Sequence, residues 1–112
     1  SSIVNLTDLL ILGLENNQFS GVIPSEIGTF TNLVYLGLNG NQFTGEIPWE
    51  IGNLTTLNYL RLGHNLLTGV IPTQICNQGV SNLNVDNNKL CPPYPSCISQ
   101  QDIDSQDTSN CP

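Results

Sequence analysis

One ten-residue phrase occurs three times along the chain at intervals of 24 residues: FSGVIPSEIG from Phe19, FTGEIPWEIG from Phe43 and LTGVIPTQIC from Leu67. Each copy follows a Leu-x-Leu-x-x-Asn motif, and these motifs end at Asn17, Asn41 and Asn65. Repetition at this period predicts a solenoid, in which every turn buries its apolar side chains against the next turn. We therefore expect function on an open surface and not in an enclosed pocket.

The charge balance of the chain excludes several classes of partner. Among its 112 residues, Arg61 and Lys89 are the two basic residues, against nine acidic ones, and the net charge is −7. Nucleic acids and anionic membranes select cationic surfaces, so neither is an expected partner. The longest apolar run, from Leu9 to Leu12, is too short to enter a bilayer directly.

Alignment on the asparagines divides the chain into repeats. Residues 1–8 are the end of an incomplete leading repeat; the repeats are 9–32, 33–56 and 57–79, with a partial one at 80–90, and residues 91–112 form a C-terminal cap.

Alternating leucines such as Leu36 and Leu38 predict a short strand in every unit, and stacked units pair these strands in parallel. The repeated asparagines are expected to satisfy backbone groups where the chain turns. Glycines at 21, 45 and 69 and prolines at 24, 48 and 72 shape the return segment, so the repeated residues are scaffold.

Four cysteines lie in the last third of the chain, at Cys76, Cys91, Cys97 and Cys111. An even number in a short terminal segment indicates disulfides and hence an oxidising compartment, whereas the spacing is wrong for zinc ribbons and fingers. Four cysteines allow three pairings, and spacing does not choose among them. Two sequons, at Asn5 and Asn53, are possible N-glycosylation sites.

The repeats resemble the plant-specific type of leucine-rich repeat, L-x-x-L-x-L-x-x-N-x-L-T/S-G-x-I-P-x-x-I-G-x-L, over residues 9 to about 90. The resemblance implies an α/β solenoid, a right-handed superhelix with a parallel β-sheet on its concave face and 3₁₀ segments and loops on its convex face. It also implies an extracellular location, either secreted or in an ectodomain. The segment from Asn88 to Cys97 resembles the caps of such repeats, and by that analogy the favoured pairs are Cys91–Cys97 and Cys76–Cys111.

Residues that do not repeat on the strands are the candidates for binding. Across the turns they form four columns: Ile11, Tyr35, Tyr59, Asn82; then Gly13, Gly37, Arg61, Asn84; then Glu15, Asn39, Gly63, Asp86; and last Asn16, Gly40, His64, Asn87. Two tyrosines on adjacent strands suit a protein or carbohydrate partner, and they equally suit cross-strand stabilisation of the sheet. Arg61 is expected to pair with an acidic partner or with Glu15 and Asp86. The predicted partner-binding set is Ile11, Tyr35, Tyr59, Arg61, His64, Asn82, Asn84 and Asp86.

Catalysis is not predicted. His64 is the single histidine and belongs to no nucleophile or metal motif. Glu26 and Glu50 lie one repeat apart like a glycosidase pair, but Gln74 continues that column and no cleft is implied. We expect a non-catalytic chain without cofactor or metal.

Two alternatives to recognition remain open. The chain starts out of phase with the repeats, which indicates a fragment, a natural mini-solenoid, or a first turn that associates with another copy. The last case would suit a structural fibre or sheath subunit that self-assembles through its N-terminal turn. The lesser alternative is ice binding by a hydroxyl column of Ser20, Thr44 and Thr68.

Overall fold

The computed structural model describes residues 8–77 and 79–112. In chain order the strands are β1 (Ile11–Gly13), β2 (Ser20–Val22), β3 (Tyr35–Gly37), β4 (Gln42–Thr44), β5 (Tyr59–Arg61), β6 (Thr68–Gly69), β7 (Asn82–Asn84) and β8 (Lys89–Leu90). The helices are α1 (Gln74–Asn77) and α2 (Gln100–Asp104), and 3₁₀ segments span Ser25–Thr29 and Trp49–Asn53. The asparagine of the first sequon, Asn5, lies outside the described residues.

The main sheet contains one strand from each turn. Its order is β1-β3-β5-β7, and all its strand pairs are parallel. The register places Tyr35 beside both Ile11 and Tyr59, and Tyr59 beside Asn82. This register confirms the parallel sheet and the first two predicted columns.

The core is a narrow stack of aliphatic side chains, as the alternation predicts. The central residue of β3, Leu36, and that of β5, Leu60, are fully buried. On the opposite side of the solenoid Ile27, Ile51 and Ile75 are buried in successive convex segments. The first two of these segments are 3₁₀ and the third is the α-helical turn α1.

Buried asparagines form a hydrogen-bond ladder through the turns. The side-chain nitrogen of Asn65 donates to the carbonyls of Leu38 (3.0 Å) and Leu62 (3.1 Å), and its oxygen accepts from the amide of Phe43 at 3.1 Å. Asn41 and Asn88 repeat this pattern. The predicted role of the asparagine column is confirmed, because each amide satisfies backbone groups of two successive turns.

A second strand in each turn builds small sheets on the flank, which the pattern of alternating leucines does not predict. β2 pairs with β4 and β6 pairs with β8, both in parallel. Ser20 lies beside Gln42, and Val22 beside Thr44, so this register is offset by two residues from the repeat. The offset contradicts the hydroxyl column expected for ice binding, because Ser20 and Thr44 are not neighbours in the sheet.

The disulfides close the C-terminal end, with a pairing that differs from the expected one. They join Cys76 to Cys97 and Cys91 to Cys111, with Cα–Cα distances of 5.5 and 5.7 Å. The favoured pairs Cys91–Cys97 and Cys76–Cys111 are therefore wrong. The tail runs back beside β8, where the amide of Asp107 donates to the carbonyl of Asn88 at 2.9 Å, and this path carries Cys111 to Cys91.

The cap reproduces the hydrogen bonds that a further repeat would make. Asp102 accepts from the amide of Val85 at 2.9 Å, and Ser105 Oγ accepts from the amide of Asn87 at 2.9 Å. In the preceding turns strand carbonyls accept from the equivalent amides, such as those of Leu62 and His64. Gln106 donates to the Val85 carbonyl at 2.9 Å and accepts from the Leu90 amide at 3.1 Å, as the next ladder asparagine would. Three side chains of the cap thus form hydrogen bonds with backbone groups of the last turn that would otherwise lack a protein partner.

Candidate functional site

The concave face is formed by the four columns of outward-pointing residues on β1, β3, β5 and β7 and the turns after them. At one edge of the face stands an apolar row, in which Ile11 is 65% exposed and Tyr59 is 40% exposed. The rings of Tyr35 and Tyr59 pack with centroids 5.9 Å apart and planes tilted by 40°. The two tyrosines therefore stabilise the sheet as a cross-strand pair while Tyr59 presents much of its ring to solvent.

Glu15 fixes the orientation of Tyr35. The phenol donates a hydrogen bond to the Glu15 carboxylate. That carboxylate lies across two glycines, since a Cβ on Gly37 would stand 2.7 Å from Glu15 and one on Gly13 would stand 2.8 Å from it. The Tyr35 hydrogen bond, with a smaller effect of the Arg61 charge, lowers the pKa of Glu15. The same hydrogen bond, together with burial, raises the pKa of Tyr35.

Arg61 does not form the ion pairs expected from the sequence. In the described part of the chain, neither Glu15 nor Asp86 forms a salt bridge with its guanidinium, and its buried Nε has no hydrogen-bond partner. Its charge acts on Glu15 and Tyr35. Arg61 is therefore a partly buried cation without a direct counter-ion among the described residues.

A polar contact between His64 and Asp86 lies at the other edge of the face. His64 Nε2 is 3.2 Å from Asp86 Oδ2, and the side chains are 63% and 23% exposed. Asn87 donates to the same carboxylate oxygen at 2.9 Å. This cluster joins the predicted residues His64 and Asp86, whereas Asp86 was expected to contact Arg61.

The column that contains His64 is set by the backbone. Asn16, His64 and Asn87 have φ angles of 55°, 54° and 54°, and Gly40 has 73°. Asparagine and glycine adopt the left-handed region more readily than most residues, which accounts for three of these four choices. The turn fixes the backbone position of residue 64, whereas the side chain at this position differs between repeats and is an imidazole only at His64.

Other predicted residues have the positions expected of them. Asn82 is exposed beside Tyr59, and Asn84 is partly buried beside Arg61. The predicted set omitted Glu15, Asn39 and Gly63, although all three belong to its third column. The column alignment contained all three residues. It did not indicate that the Glu15 side chain reaches Tyr35 on the next strand, which is the contact that places Glu15 in the site.

The convex side carries the two glutamates that resemble a glycosidase pair in the sequence. Glu26 is exposed and Glu50 partly exposed on successive 3₁₀ segments. Among residues 8–77 and 79–112, no three His, Cys, Asp or Glu side chains cluster as metal ligands would. No helix in the same ranges combines the length and hydropathy needed to cross a bilayer. Asn53, the second sequon asparagine, is exposed at the end of its 3₁₀ segment, and its glycosylation stays a prediction.

The stacked parallel strands and the asparagine ladder define a repeat solenoid. The model of the family described as Leucine Rich Repeat matches residues 8–30, 32–54 and 56–78. The chain therefore belongs to the leucine-rich repeat family. Comparison with curated protein sequences gives no significant match.

Solved structures from Arabidopsis thaliana resemble the chain closely. A chain of the BIR3–SERK2 complex superposes with a TM-score of 0.84 at 35% identity, over 90% of this chain and 56% of that one. The BIR2 ectodomain gives 0.80 at 35% identity, over 84% and 50%. A chain from the receptor kinase HAESA in complex with the peptide hormone IDA and the co-receptor SERK1 gives 0.77 at 43% identity, over 81% and 15%.

The chain thus spans about half the length of the first two neighbours and a small part of the third. These neighbours include receptor ectodomains, and the described cysteines are all paired in two disulfides. Disulfides form and persist outside the reducing cytosol. The chain is an extracellular leucine-rich repeat module.

Proposed function

We propose that this chain is a non-catalytic recognition module that binds an extended segment of a protein or peptide through its concave face. The observation that carries the proposal is the apolar row of Ile11, Tyr35 and Tyr59, which stands in register and in part exposed on a rigid parallel sheet. Tyrosine is enriched in binding hot spots because its large ring loses little conformational entropy on contact.

Two further observations support a protein partner over a carbohydrate. The HAESA structure contains a peptide hormone and a co-receptor, and the BIR3–SERK2 structure is a complex of two proteins. The Tyr35 hydroxyl is already engaged by Glu15, and the two tyrosine rings are tilted and not coplanar. A flat sugar platform would require a more even surface, whereas an apolar side chain of a peptide fits a tilted pair.

The test is selection of binding peptides followed by matched substitutions. Random twelve-residue peptides displayed on phage are selected against the folded chain, and the affinities of the winners are measured by calorimetry. Tyr59→Ala should weaken binding about thirtyfold or more, because truncation of a hot-spot aromatic costs about 2 kcal/mol or more. Trp49→Ala is the control, since Trp49 is 52% exposed at the start of a convex 3₁₀ segment.

Each outcome of that selection has a definite meaning. Peptides that lose affinity with Trp49→Ala but not with Tyr59→Ala would place recognition outside the concave face and contradict the proposal. Binding of soluble cell-wall oligosaccharides with a Tyr59 dependence, and no peptide binding, would favour the carbohydrate alternative. Self-association through the N-terminal turn stays a prediction, and concentration-dependent sedimentation in the absence of any ligand would support it over recognition.

A further inference from the structure

The sequon formed by Asn53, Leu54 and Thr55 lies away from the concave face and plays no part in the proposed function. A sequon in a folded protein carries sugar where the asparagine amide extends into solvent, because the oligosaccharide is bulky and hydrophilic. The ladder asparagines do not meet this condition, since Asn41 and Asn65 are buried and both donate to backbone carbonyls. Asn53, by contrast, is exposed at the end of its 3₁₀ segment.

The backbone at this sequon forms an inverse γ-turn. Leu54 has a φ angle of −85° and a ψ angle of 76°, and the amide of Thr55 donates to the carbonyl of Asn53 at 3.0 Å. The middle residue of the turn is fully buried, whereas the residues on either side of it are exposed. The turn therefore anchors its leucine in the core and leaves the asparagine and threonine side chains on the solvent side.

The preceding turn of the solenoid has the same local structure without a sequon. Phe30 is buried, with a φ angle of −83° and a ψ angle of 67°, and the amide of Thr31 donates to the carbonyl of Thr29 at 2.9 Å. Thr29 and Thr31 are exposed, as Asn53 and Thr55 are. The solenoid thus repeats one exposed corner on its convex side, with an asparagine at residue 53 and a threonine at residue 29.

We propose that Asn53 carries an N-linked oligosaccharide when the chain is secreted by a eukaryotic cell. The donor is an oligosaccharide linked to a lipid diphosphate. A bond forms between Asn53 Nδ2 and the anomeric carbon of the first sugar, and the bond from that carbon to the diphosphate oxygen breaks. The lipid diphosphate is the leaving group, and the amide nitrogen releases one proton. The chain is an extracellular module and the solved structures that it resembles come from a plant, so the eukaryotic secretory route is the relevant one.

A glycan at this corner leaves the concave face free. Asn53 ends a convex 3₁₀ segment, whereas Tyr35 and Tyr59 lie on the main sheet at the other side of the stack. A bulky, hydrophilic group at residue 53 is compatible with a partner on the concave face, and it blocks close packing of another copy against the convex corner. The inference is independent of the proposed function, because it follows from the exposed turn at residues 53–55.

The test is site-specific mapping of the chain secreted from cultured eukaryotic cells. A peptide N-glycosidase in heavy-oxygen water converts each glycosylated asparagine to an aspartate that carries the heavy-oxygen label. Chymotryptic cleavage after Phe19 and Trp49 then keeps the two sequons and residue 29 on three separate fragments for mass spectrometry. We expect the label at residue 53 in most molecules. An unlabelled Asn53, from cells that glycosylate a reference protein secreted alongside it, would overturn the proposal.

Two matched pairs of variants test the motif and the turn. Thr55→Ala should abolish the label at residue 53, whereas Thr31→Ala, at the equivalent exposed position of the preceding turn, should leave it unchanged. Thr29→Asn completes a sequon at the same corner one turn earlier and should add a second label at residue 29, whereas Thr29→Gln should add none. Thermal melts verify that the variants fold. A label at residue 53 in Thr55→Ala, or a folded and secreted Thr29→Asn without a label at residue 29, would contradict presentation of the sequon by this corner.

Discussion

At the scale of single residues, the concave face is organised by one hydrogen bond. The Glu15 carboxylate reaches across Gly37 to accept from the Tyr35 phenol, and this contact orients the ring that packs on Tyr59. The repeat places these residues in neighbouring columns, since the strand register follows the 24-residue period. It does not reveal the bond, because the reach of Glu15 depends on two glycines that leave the strand surface bare.

The Glu15–Tyr35 bond predicts two linked changes in titration. Tyr35→Phe should raise the pKa of Glu15 back toward its ordinary value of 4.5. Glu15→Gln should lower the pKa of Tyr35 toward its ordinary value of 10.0, because the acceptor that favours the protonated phenol is gone. Carbon-detected NMR of the carboxyl group and the phenol measures both.

The free energy of unfolding should depend on pH through both groups, because folding lowers the pKa of Glu15 and raises the pKa of Tyr35. Because folding lowers the Glu15 pKa, the contribution of the bond is present above the unfolded pKa and is lost as pH falls through the folded one. Because folding raises the Tyr35 pKa, the contribution is present below about 10 and is lost as pH rises through the folded value. Equal pH dependence of unfolding in the wild type and Glu15→Gln would show that the bond contributes nothing.

At the scale of elements, the asparagine ladder holds the turns together. Asn65 is buried and bonds to two turns, whereas the amide of Asn17 is exposed and donates within its own turn. Both asparagines occupy the same motif position, so the sequence alone assigns them equal weight. The structure distinguishes them, because Asn65 is buried in the interior of the stack and Asn17 is exposed.

Substitution of the two asparagines should therefore have unequal effects. Asn65→Ala removes several hydrogen bonds and leaves the buried Phe43 amide unpaired, at a cost of about 3–4 kcal/mol in the free energy of unfolding. Asn17→Ala should cost less than about 1 kcal/mol, because water replaces the lost partner. Urea denaturation followed by circular dichroism compares the two, and equal losses would contradict a burial-dependent ladder.

The C-terminal cap takes the place of a further repeat at the end of the solenoid. Gln106 occupies the place of a further ladder asparagine, and Asp102 and Ser105 replace the carbonyls of a further strand. A solenoid end satisfied in this way offers no free strand donors at these positions for another copy. Stacking that propagates through this end is therefore disfavoured, which weakens the fibre or sheath alternative.

Loss of the Gln106 amide should open the last turn. Gln106→Ala leaves the Leu90 amide without its acceptor, so we expect faster hydrogen exchange there and a loss of about 1–2 kcal/mol in unfolding free energy. Gln101→Ala, an exposed position on α2, is the matched control and should change neither quantity. Unaltered exchange at Leu90 would show that solvent satisfies the end as well as the glutamine does.

At the scale of the whole molecule, the disulfides tie the cap to the repeats. Cys76 belongs to α1 on the convex side and Cys91 follows β8, so each bridge joins the last repeats to the tail. The cysteine count and position indicate a stapled end. The pairing depends on the path of the tail between Cys97 and Cys111, which no local pattern encodes.

Peptide mapping tests the pairing directly. Cleavage before Asp86 and Asp102 leaves Cys91 and Cys97 on one fragment, and partial reduction with stepwise alkylation then assigns the bonds, which should join Cys76 to Cys97 and Cys91 to Cys111. A Cys76→Ser/Cys97→Ser variant lacks the disulfide that links residues 21 positions apart. It should lose about 3 kcal/mol of unfolding free energy, because its unfolded chain is less constrained. Assignment of a Cys91–Cys97 bond in the native chain would contradict the structure.

The amino-acid sequence alone determined the architecture of this protein, because the 24-residue period dictates which residues stack. The leucines of the core, the asparagine column, the parallel main sheet and its residue columns all follow from that period. The tertiary structure alone decided the flank sheets with their offset register, the disulfide pairing, the cap residues that replace a repeat, and the contacts of Glu15, His64 and Asp86. The reason is physical: a repeat constrains positions that recur, whereas contacts among residues that do not recur depend on side-chain reach and on the path of the chain in space.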